Sequence, residues 1–197
     1  MALQPLPLPG AEVLLDPAWL PGPEATALLE RLRAEVPWEI HRIRLFGRMV
    51  DSPRLSCWIG DAGARYRYSG VAFEPHPWPP ALVAVRQAVS QACGTAFDGV
   101  LANRYRHGRD GMGWHRDDEP ELGPRPVIAS LSLGATRRFA LKSLDGAQRV
   151  AVELPHGSLL VMRGNTQARY RHALPKTARP VGERVNLTFR RIVAPAR

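Results

Sequence analysis

The sequence of 197 residues is poor in cysteine and contains no long apolar run. Cys57 and Cys93 are its only cysteines, and neither belongs to a C-x-x-C pair, so we expect free thiols in a reducing compartment rather than a disulfide framework. No apolar stretch reaches the ~20 residues that span a bilayer, so no membrane partner is expected. The first ten residues lack a cationic segment and contain three prolines, which argues against a signal peptide and predicts a flexible leader over residues 1–22.

Lysine is almost absent as well. Lys142 and Lys176 are the only lysines among 27 basic residues, and the 18 acidic residues leave a net charge of +9. Arginine forks bind phosphates bidentately and stack on bases, so nucleic acid is the leading candidate partner. The codon bias of a GC-rich genome also enriches arginine. That interpretation would place the protein in the cytoplasm of a GC-rich bacterium.

The length predicts one compact domain, and we expect a monomer. Apolar residues recur at helical spacing over residues 23–35, and again after Pro79-Pro80 up to Gly94. From about residue 97 onward, short alternating or apolar segments are separated by Gly, Asp and Pro turns. This pattern predicts an α+β protein whose second half is a β-sandwich or a jelly-roll barrel.

A possible metal site begins at residues 115–117, which read His-Arg-Asp, and continues at His172. Two imidazoles and one carboxylate can hold one face of Fe(II) and leave the other face open to a cosubstrate and O₂. Two alternatives remain at this point. The motif is short enough to be a solvated loop followed by an unrelated histidine, or the same ligands could serve a zinc hydrolase.

The strand predicted at residues 184–190 carries a second clue. Side chains alternate across a strand, so Val185, Leu187 and Phe189 would share a core face. The opposite polar face is either solvated or lines a barrel interior and holds an anion. A diacid such as 2-oxoglutarate would suit two arginines on that face, and a nearby amide and phenol could hydrogen-bond to it. The polar face is formed by Arg184, Asn186, Thr188 and Arg190, and the amide and phenol belong to Asn103 and Tyr105.

Six short motifs occur in order along the chain. They are N-x-Y at 103–105, H-R-D-D-E at 115–119, I-A-S-L-S-L-G at 128–134, H-G-S-L-L at 156–160, H-x-L-P at 172–175 and R-V-N-L-T-F-R at 184–190. With these motifs, the chain resembles the AlkB family of Fe(II)/2-oxoglutarate-dependent dioxygenases over about residues 45–192. The run H-R-D-D-E is most similar to the branch that repairs double-stranded DNA. Relatives often have Trp two residues before the distal iron histidine, where this chain has Tyr170.

The resemblance implies a double-stranded β-helix (jelly-roll) core over residues 97–197, preceded by helices and a nucleotide-recognition lid over residues 23–96. It implies Fe(II) bound by His115, Asp117 and His172. It further implies 2-oxoglutarate and O₂ as cosubstrates and oxidative removal of N-methyl groups from 1-methyladenine and 3-methylcytosine in DNA. The implied 2-oxoglutarate residues are Asn103, Tyr105, Arg184, Asn186, Thr188 and Arg190.

The resemblance also suggests residues that contact the base. Phe46 lies between arginines at a glycine and is the candidate wedge that replaces a flipped base in duplex DNA. Tyr66 and Tyr68 are candidates for stacking on that base, and Ser69 for lining its pocket. Asp118 and Glu119 would favour a cationic lesion. Without the resemblance, an ordinary hairpin with one buried Phe and buried core tyrosines would be the favoured interpretations, and surface acids paired with arginine would be a good alternative for Asp118 and Glu119.

Two other functions remain open. A dioxygenase of the same fold could act on RNA, single-stranded DNA, a protein or a small molecule, because the iron and cosubstrate residues do not separate these substrates. A nucleic-acid-binding module without catalysis is disfavoured, since the complete His-Asp-His set and both arginines are present.

Overall fold

Two antiparallel sheets face each other in the computed structural model, which describes residues 2–45, 48–68 and 71–193. Strands are numbered in chain order. The larger sheet has the spatial order β1 (Gln4–Pro5), β2 (Glu12–Asp16), β13 (Leu159–Arg163), β10 (Ile128–Gly134), β15 (Arg184–Arg190), β8 (Gly99–Tyr105) and β5 (Leu55–Gly60). The smaller sheet has the order β12 (Arg149–Leu154), β11 (Arg137–Ser143), β14 (Tyr170–Leu174) and β9 (Met112–His115). Facing antiparallel sheets of this kind form a jelly roll, so the predicted α+β class with a jelly-roll core is confirmed.

Two hairpins, three α-helices and a short 3-10 helix at Pro120–Leu122 complete the described elements. The hairpins are β3 (Arg42–Leu45) with β4 (Arg48–Asp51), and β6 (Tyr66–Tyr68) with β7 (Val71–Phe73). The helices are α1 (Gly22–Glu35), α2 (Pro80–Cys93) and the short α3 (Thr166–Arg169). Within the described ranges, no helix has the length and apolar character needed to cross a membrane.

The helices α1 and α2 begin and end where the sequence predicts. Proline occupies the first turn of each, where its missing N–H is not needed. Helix α2 stops at Gly94, which adopts the left-handed conformation with φ 62°. Leucines of both helices and Val85 and Val89 of α2 pack on the outer face of the larger sheet, in one cluster with Val185, Leu187 and Phe189 of β15. The predicted core face of this strand is therefore confirmed.

A second cluster of apolar side chains fills the space between the two sheets. It joins Trp58 and Leu101 of the larger sheet to Phe139 and Leu141 of the smaller one. Strand β15 thus has a core on both sides, and its polar face points into the space between the sheets. Because a slip of one residue would exchange these two faces, the helix-side core fixes the register of the polar side chains.

The prediction of a flexible leader over residues 1–22 is wrong. Strand β2 pairs with β13 along its whole length, from Glu12 opposite Arg163 to Asp16 opposite Leu159. Leu8 and Val13 are buried, and the Tyr170 hydroxyl donates a hydrogen bond to the Pro9 carbonyl at 2.9 Å. Of the prolines that suggested disorder, Pro5 lies in the edge strand β1, opposite Leu14, and the other two lie between β1 and β2. An edge strand tolerates proline, because a missing N–H on its open side breaks no ladder.

The predicted division at residue 97 also needs correction. Strands β2 and β5 come from the first half of the chain, yet both belong to the seven-stranded sheet, and β5 pairs with β8 along its whole length. The jelly roll therefore takes strands from both sides of residue 97. The short apolar segment of β5 is hard to recognise in sequence, because it alternates poorly and is buried on both faces.

Replacing Tyr170 by Phe should lower the free energy of unfolding by about 1 kcal/mol, the typical contribution of one hydrogen bond. The phenyl ring would keep the buried packing of Tyr170 and remove only its bond to the Pro9 carbonyl. Urea denaturation measures the change, with Arg171→Gln as an exposed control on the same strand. Equal stability of Tyr170→Phe and the unchanged protein would show that this bond does not hold the N-terminal segment.

Candidate metal centre

His115, Asp117 and His172 come together at one end of the space between the sheets. His115 ends β9 and lies directly opposite His172 on β14, and Asp117 follows two residues after β9. One ligand atom from each residue lies within 4.8 Å of the others. The two imidazole rings are 4.2 Å apart between centroids and inclined by 64°. The sequence motif is therefore a spatial cluster rather than a loop with an unrelated histidine.

The Asp117 carboxylate is held from one side. Arg190 Nη2 donates to Oδ1 at 2.8 Å, and the Asp117 backbone amide donates to Gln167 Oε1 at 3.0 Å. The other oxygen, Oδ2, is buried and has no hydrogen-bond partner among the described residues, although His172 Nε2 lies 3.7 Å away. A buried carboxylate oxygen without a partner costs about 1–3 kcal/mol or more, and a metal ion between it and the imidazoles would remove that cost. The donor set thus fits an Fe(II) ion.

The electrostatics of the cluster suit metal binding as well. Burial lowers the pKa of both histidines, and the pKa of His172 falls to about 3. Both rings are therefore neutral near pH 7 and have a nitrogen lone pair to offer. Burial would raise the pKa of Asp117, but the charge of Arg190, the two neighbouring imidazoles and the hydrogen bond from Arg190 together outweigh it and hold this pKa well below its usual range.

One cavity between the sheets joins this cluster to the polar face of β15. Its walls include all three members of the cluster and all six side chains that the resemblance assigns to 2-oxoglutarate. The six are Asn103, Tyr105, Arg184, Asn186, Thr188 and Arg190. The prediction that the polar face lines an interior is confirmed.

The two arginines of this face are not equivalent. Arg190 forms an ion pair with Asp117, whereas Arg184 has no carboxylate within ion-pair distance among the described residues. Arg184 is 1% exposed, and its guanidinium donates to neutral oxygens on Ser132 at 2.9 Å and on Asn186 at 2.5 Å and interacts with the neutral Tyr105 hydroxyl. Burial lowers its pKa to about 10, so the group is still cationic at neutral pH. A buried cation without an anion is costly, and a ligand carboxylate would offset that cost.

Sequence reasoning missed several supporting residues. Ser130 and Ser132 of β10 hydrogen-bond to Asn186 and Arg184, respectively, from the neighbouring strand. Their alternation with apolar residues in I-A-S-L-S-L-G was a readable signal of an inward polar face. Arg54 Nε donates to Asn103 Oδ1 at 2.7 Å, and the amide of Gln167 holds the Asp117 backbone. Arg54 and Gln167 come from distant segments of the chain, so no local sequence pattern predicts these contacts.

The candidate base-contact residues are brought together less completely than the metal-binding and 2-oxoglutarate residues. Asp118 is exposed and forms an ion pair with Arg116 at 2.5 Å, as the alternative interpretation of surface acids expects. Tyr66 is 1% exposed and packs against Trp58 and the Arg190 guanidinium, so it acts as a core side chain rather than an open stacking surface. Glu119 interacts with the Tyr66 hydroxyl, and burial raises its pKa.

The remaining base-contact candidates cannot be placed. Phe46 and Ser69 lie outside the described residues, and the same holds for the side chain of Tyr68 at the end of β6. The flanking strands β3 and β4 pair from Arg42 opposite Asp51 to Leu45 opposite Arg48, so the residues on both sides of Phe46 form a hairpin ladder.

Comparison with known proteins gives a consistent result. The model of the 2OG-Fe(II) oxygenase superfamily matches residues 12–190. The alkB homolog 3 dioxygenase of Rattus norvegicus is 40% identical over 192 residues, which cover 92% of this chain and 64% of that protein. Human DNA oxidative demethylase ALKBH2 is 41% identical over 181 residues, covering 86% of this chain and 69% of that protein. The chain thus spans just under two thirds of the length of the rat relative.

A solved structure described as "The structure of OsALKBH1" shares the fold, with a TM-score of 0.64 at 16% identity, and the match covers 96% of this chain and 99% of that one. The superfamily match includes both metal-binding motifs and the arginine strand. The matches to ALKBH2 and alkB homolog 3 show to which family within this superfamily the chain belongs. The chain belongs to the AlkB family of 2OG-Fe(II) oxygenases.

Proposed function

We propose that this protein removes N-methyl groups from bases in DNA, with 1-methyladenine and 3-methylcytosine as its substrates. One observation carries the proposal: a His-Asp-His cluster, in which Asp117 and His172 are buried, and a buried arginine without a carboxylate partner among the described residues share one cavity. The first fits a metal and the second fits the far end of a diacid. The choice of DNA is supported by the net charge of +9 and by the likeness to a protein named DNA oxidative demethylase.

The roles of the metal-binding residues follow from their contacts. His115, Asp117 and His172 would hold Fe(II), and Arg190 would keep Asp117 ionised and turned toward the histidines. When bound, the iron supplies the oxidation by which O₂ and 2-oxoglutarate yield succinate and CO₂ while one oxygen atom converts N–CH₃ into N–CH₂OH. The cationic hydroxymethyl product then releases formaldehyde and a proton, and the ring nitrogen regains its lone pair in the restored base.

Arg184 is the proposed partner of the far carboxylate of 2-oxoglutarate. It is the cation of the cavity without an anion among the described residues, and Ser132 and Asn186 fix its direction. Asn103, Tyr105 and Thr188 would offer hydrogen bonds along the body of the same ligand. Arg190 has Nε and Nη1 without partners among the described residues and would contribute these to the end nearer the metal.

Recognition of the base is proposed from charge and position. Methylation at N1 of adenine or N3 of cytosine makes the base cationic, and an acidic wall favours it over neutral bases. Glu119 is the better placed acid, because it lies near Asp117, which lines the cavity, whereas Asp118 pairs with Arg116. Phe46 as the wedge and Tyr68 and Ser69 in the base pocket complete the proposal.

The direct test incubates the protein with Fe(II), ascorbate, 2-oxoglutarate and duplex oligonucleotides that contain one 1-methyladenine or one 3-methylcytosine. We expect the oligonucleotide to lose the mass of one CH₂ unit, and to do so only when iron and 2-oxoglutarate are both present. Succinate formation without any change in the DNA, in single strands or in duplexes, would overturn the proposed substrate. It would redirect the search to RNA, protein or small molecules.

Asp117→Ala should abolish turnover of 2-oxoglutarate, because it removes a ligand and leaves Arg190 without its counter-charge. Metal affinity should fall by more than the roughly 100-fold that loss of a supporting residue can cost. Titration with Co(II) as a spectroscopic substitute measures the affinity directly. Asp118→Ala is the matched control, since it removes an exposed neighbouring carboxylate. Equal Co(II) affinity of Asp117→Ala and the control would show that the metal assignment is wrong.

Arg184→Gln should raise the KM for 2-oxoglutarate by roughly 10- to 100-fold, which corresponds to the loss of one charged hydrogen bond in a buried site. Its affinity for Co(II) should not change, because Arg184 touches none of the three metal-binding side chains. Arg190→Gln is the informative comparison: it should weaken Co(II) binding, because it releases Asp117. An unchanged KM in Arg184→Gln would refute the assigned role.

A further inference from the structure

The outer face of the smaller sheet carries a row of cations. Residues paired across neighbouring strands share a face, and Lys142 of β11 pairs with Arg149 of β12 on one side and with Arg171 of β14 on the other. Both arginines are exposed. We call Arg149, Lys142 and Arg171 the cationic row. Because His172 follows Arg171 on β14, the row lies on the opposite face of the sheet from the metal centre.

A tryptophan ends this row at the edge of the sheet. Trp114 lies on the edge strand β9, and the Lys142 ammonium is 4.4 Å from its ring centroid. Its exposed fraction of 43% is large for an indole. The other four tryptophans of the chain are buried or half-buried. Trp114 is therefore the one indole with a large surface open to solvent.

The charge of this sheet face favours an anionic partner. Besides the cationic row it carries Arg138, and the one carboxylate in these strands on this face, Glu153, lies opposite Arg138 in the register. In the middle of the face Ala140 pairs with Ala151 and with Ala173, and of these three only Ala151 is exposed. A positively charged surface with an aromatic ring at one end is the combination that proteins use to bind unpaired nucleic-acid strands.

The position of the surface relative to the cavity is also favourable. Trp114 immediately precedes His115, so only the edge strand β9 separates the exposed indole from the metal centre. A nucleic-acid strand with one base in the cavity would need to extend only around this edge to reach the outer face. Among the described strands, none pairs with the open side of β9.

We propose that Trp114 and the cationic row form a second nucleic-acid contact, which binds an unpaired part of the strand that carries the modified base. The phosphates would lie on Arg149, Lys142 and Arg171, and one base would stack on Trp114. This inference rests on the proposed function and extends it, because it names an unpaired strand outside the cavity as part of the substrate.

The first test measures the affinity for an unmodified, fluorescently labelled single-stranded DNA oligonucleotide by anisotropy. Trp114→Ala should weaken binding by roughly tenfold, a loss typical of one base stacked on an aromatic ring. Trp114→Phe should keep most of the affinity, because it keeps a stacking ring. Val83→Ala is the matched control, as it removes an exposed apolar side chain from α2. Equal affinities of Trp114→Ala and the unchanged protein would overturn the proposal.

The second test examines the cations through the salt dependence of binding. Removing one cation that neutralises a phosphate of a single strand lowers the slope of log K against log salt by about 0.7. Lys142→Gln combined with Arg171→Gln should therefore lower this slope by about 1.4, and an unchanged slope would contradict the proposed binding of phosphates. Polyglutamate serves as an acidic competitor. If it displaces the oligonucleotide with equal efficiency from the unchanged protein and from Trp114→Ala, the surface recognises charge alone and the assignment to nucleic acid is overturned.

The two proposals fail in different ways. Demethylation by the unchanged protein, together with normal strand binding by Trp114→Ala, would refute the outer surface and keep the proposed function. Tight strand binding that depends on Trp114, without removal of any methyl group from DNA, would refute the proposed reaction and keep the surface. Co(II) titration of Trp114→Ala reports whether the neighbouring His115 still binds metal.

Discussion

The ion pair between Arg190 and Asp117 is the interaction on which the rest of the site depends. Both side chains are almost fully buried, at 3% and 1% exposure, so each charge needs the other. Removal of one partner from such a pair typically costs about 3–5 kcal/mol, because a buried charge is left uncompensated. The pair keeps Asp117 ionised and fixes one of its oxygens, which leaves the second oxygen facing His172 at 3.7 Å. It also ties the cluster to β15 and therefore to the fold.

Strand β15 connects the core to the chemistry because both of its faces are buried. Its apolar face packs under helices α1 and α2, and this packing allows only one register. In that register the polar face contains two arginines, six residues apart, which have different partners. Arg190 neutralises a charge of the protein itself, whereas Arg184 has only neutral partners among the described residues. Arg184 and Arg190, at the two ends of one strand, thus have different roles because different side chains surround them.

The sequence predicted those features that depend on a local period or a local motif. Alternation in β15 predicted which side chains face the core and which line the cavity, and the spacing of His115 and Asp117 predicted two members of the cluster. Predictions from the sequence were wrong where tertiary contacts determine the structure. Residues 1–22 have prolines typical of a leader, yet β2 gains order from an existing strand, β13. Tyr66 has a polar neighbourhood in sequence, and only the fold buries it against Trp58 and Arg190.

The period of two also relates the inner and outer faces of the smaller sheet. On β14, His172 faces the cavity and Arg171 faces solvent, and on β9 His115 and Trp114 are divided in the same way. The strands that hold the metal-binding histidines in place must therefore present their neighbouring residues outward, whatever those residues are. In this chain the outward residues that directly precede the two histidines are the aromatic Trp114 and the cationic Arg171. A surface built on the same strands as the metal centre keeps a fixed distance from it, so a strand bound outside would be held in constant relation to the cavity where its modified base reacts.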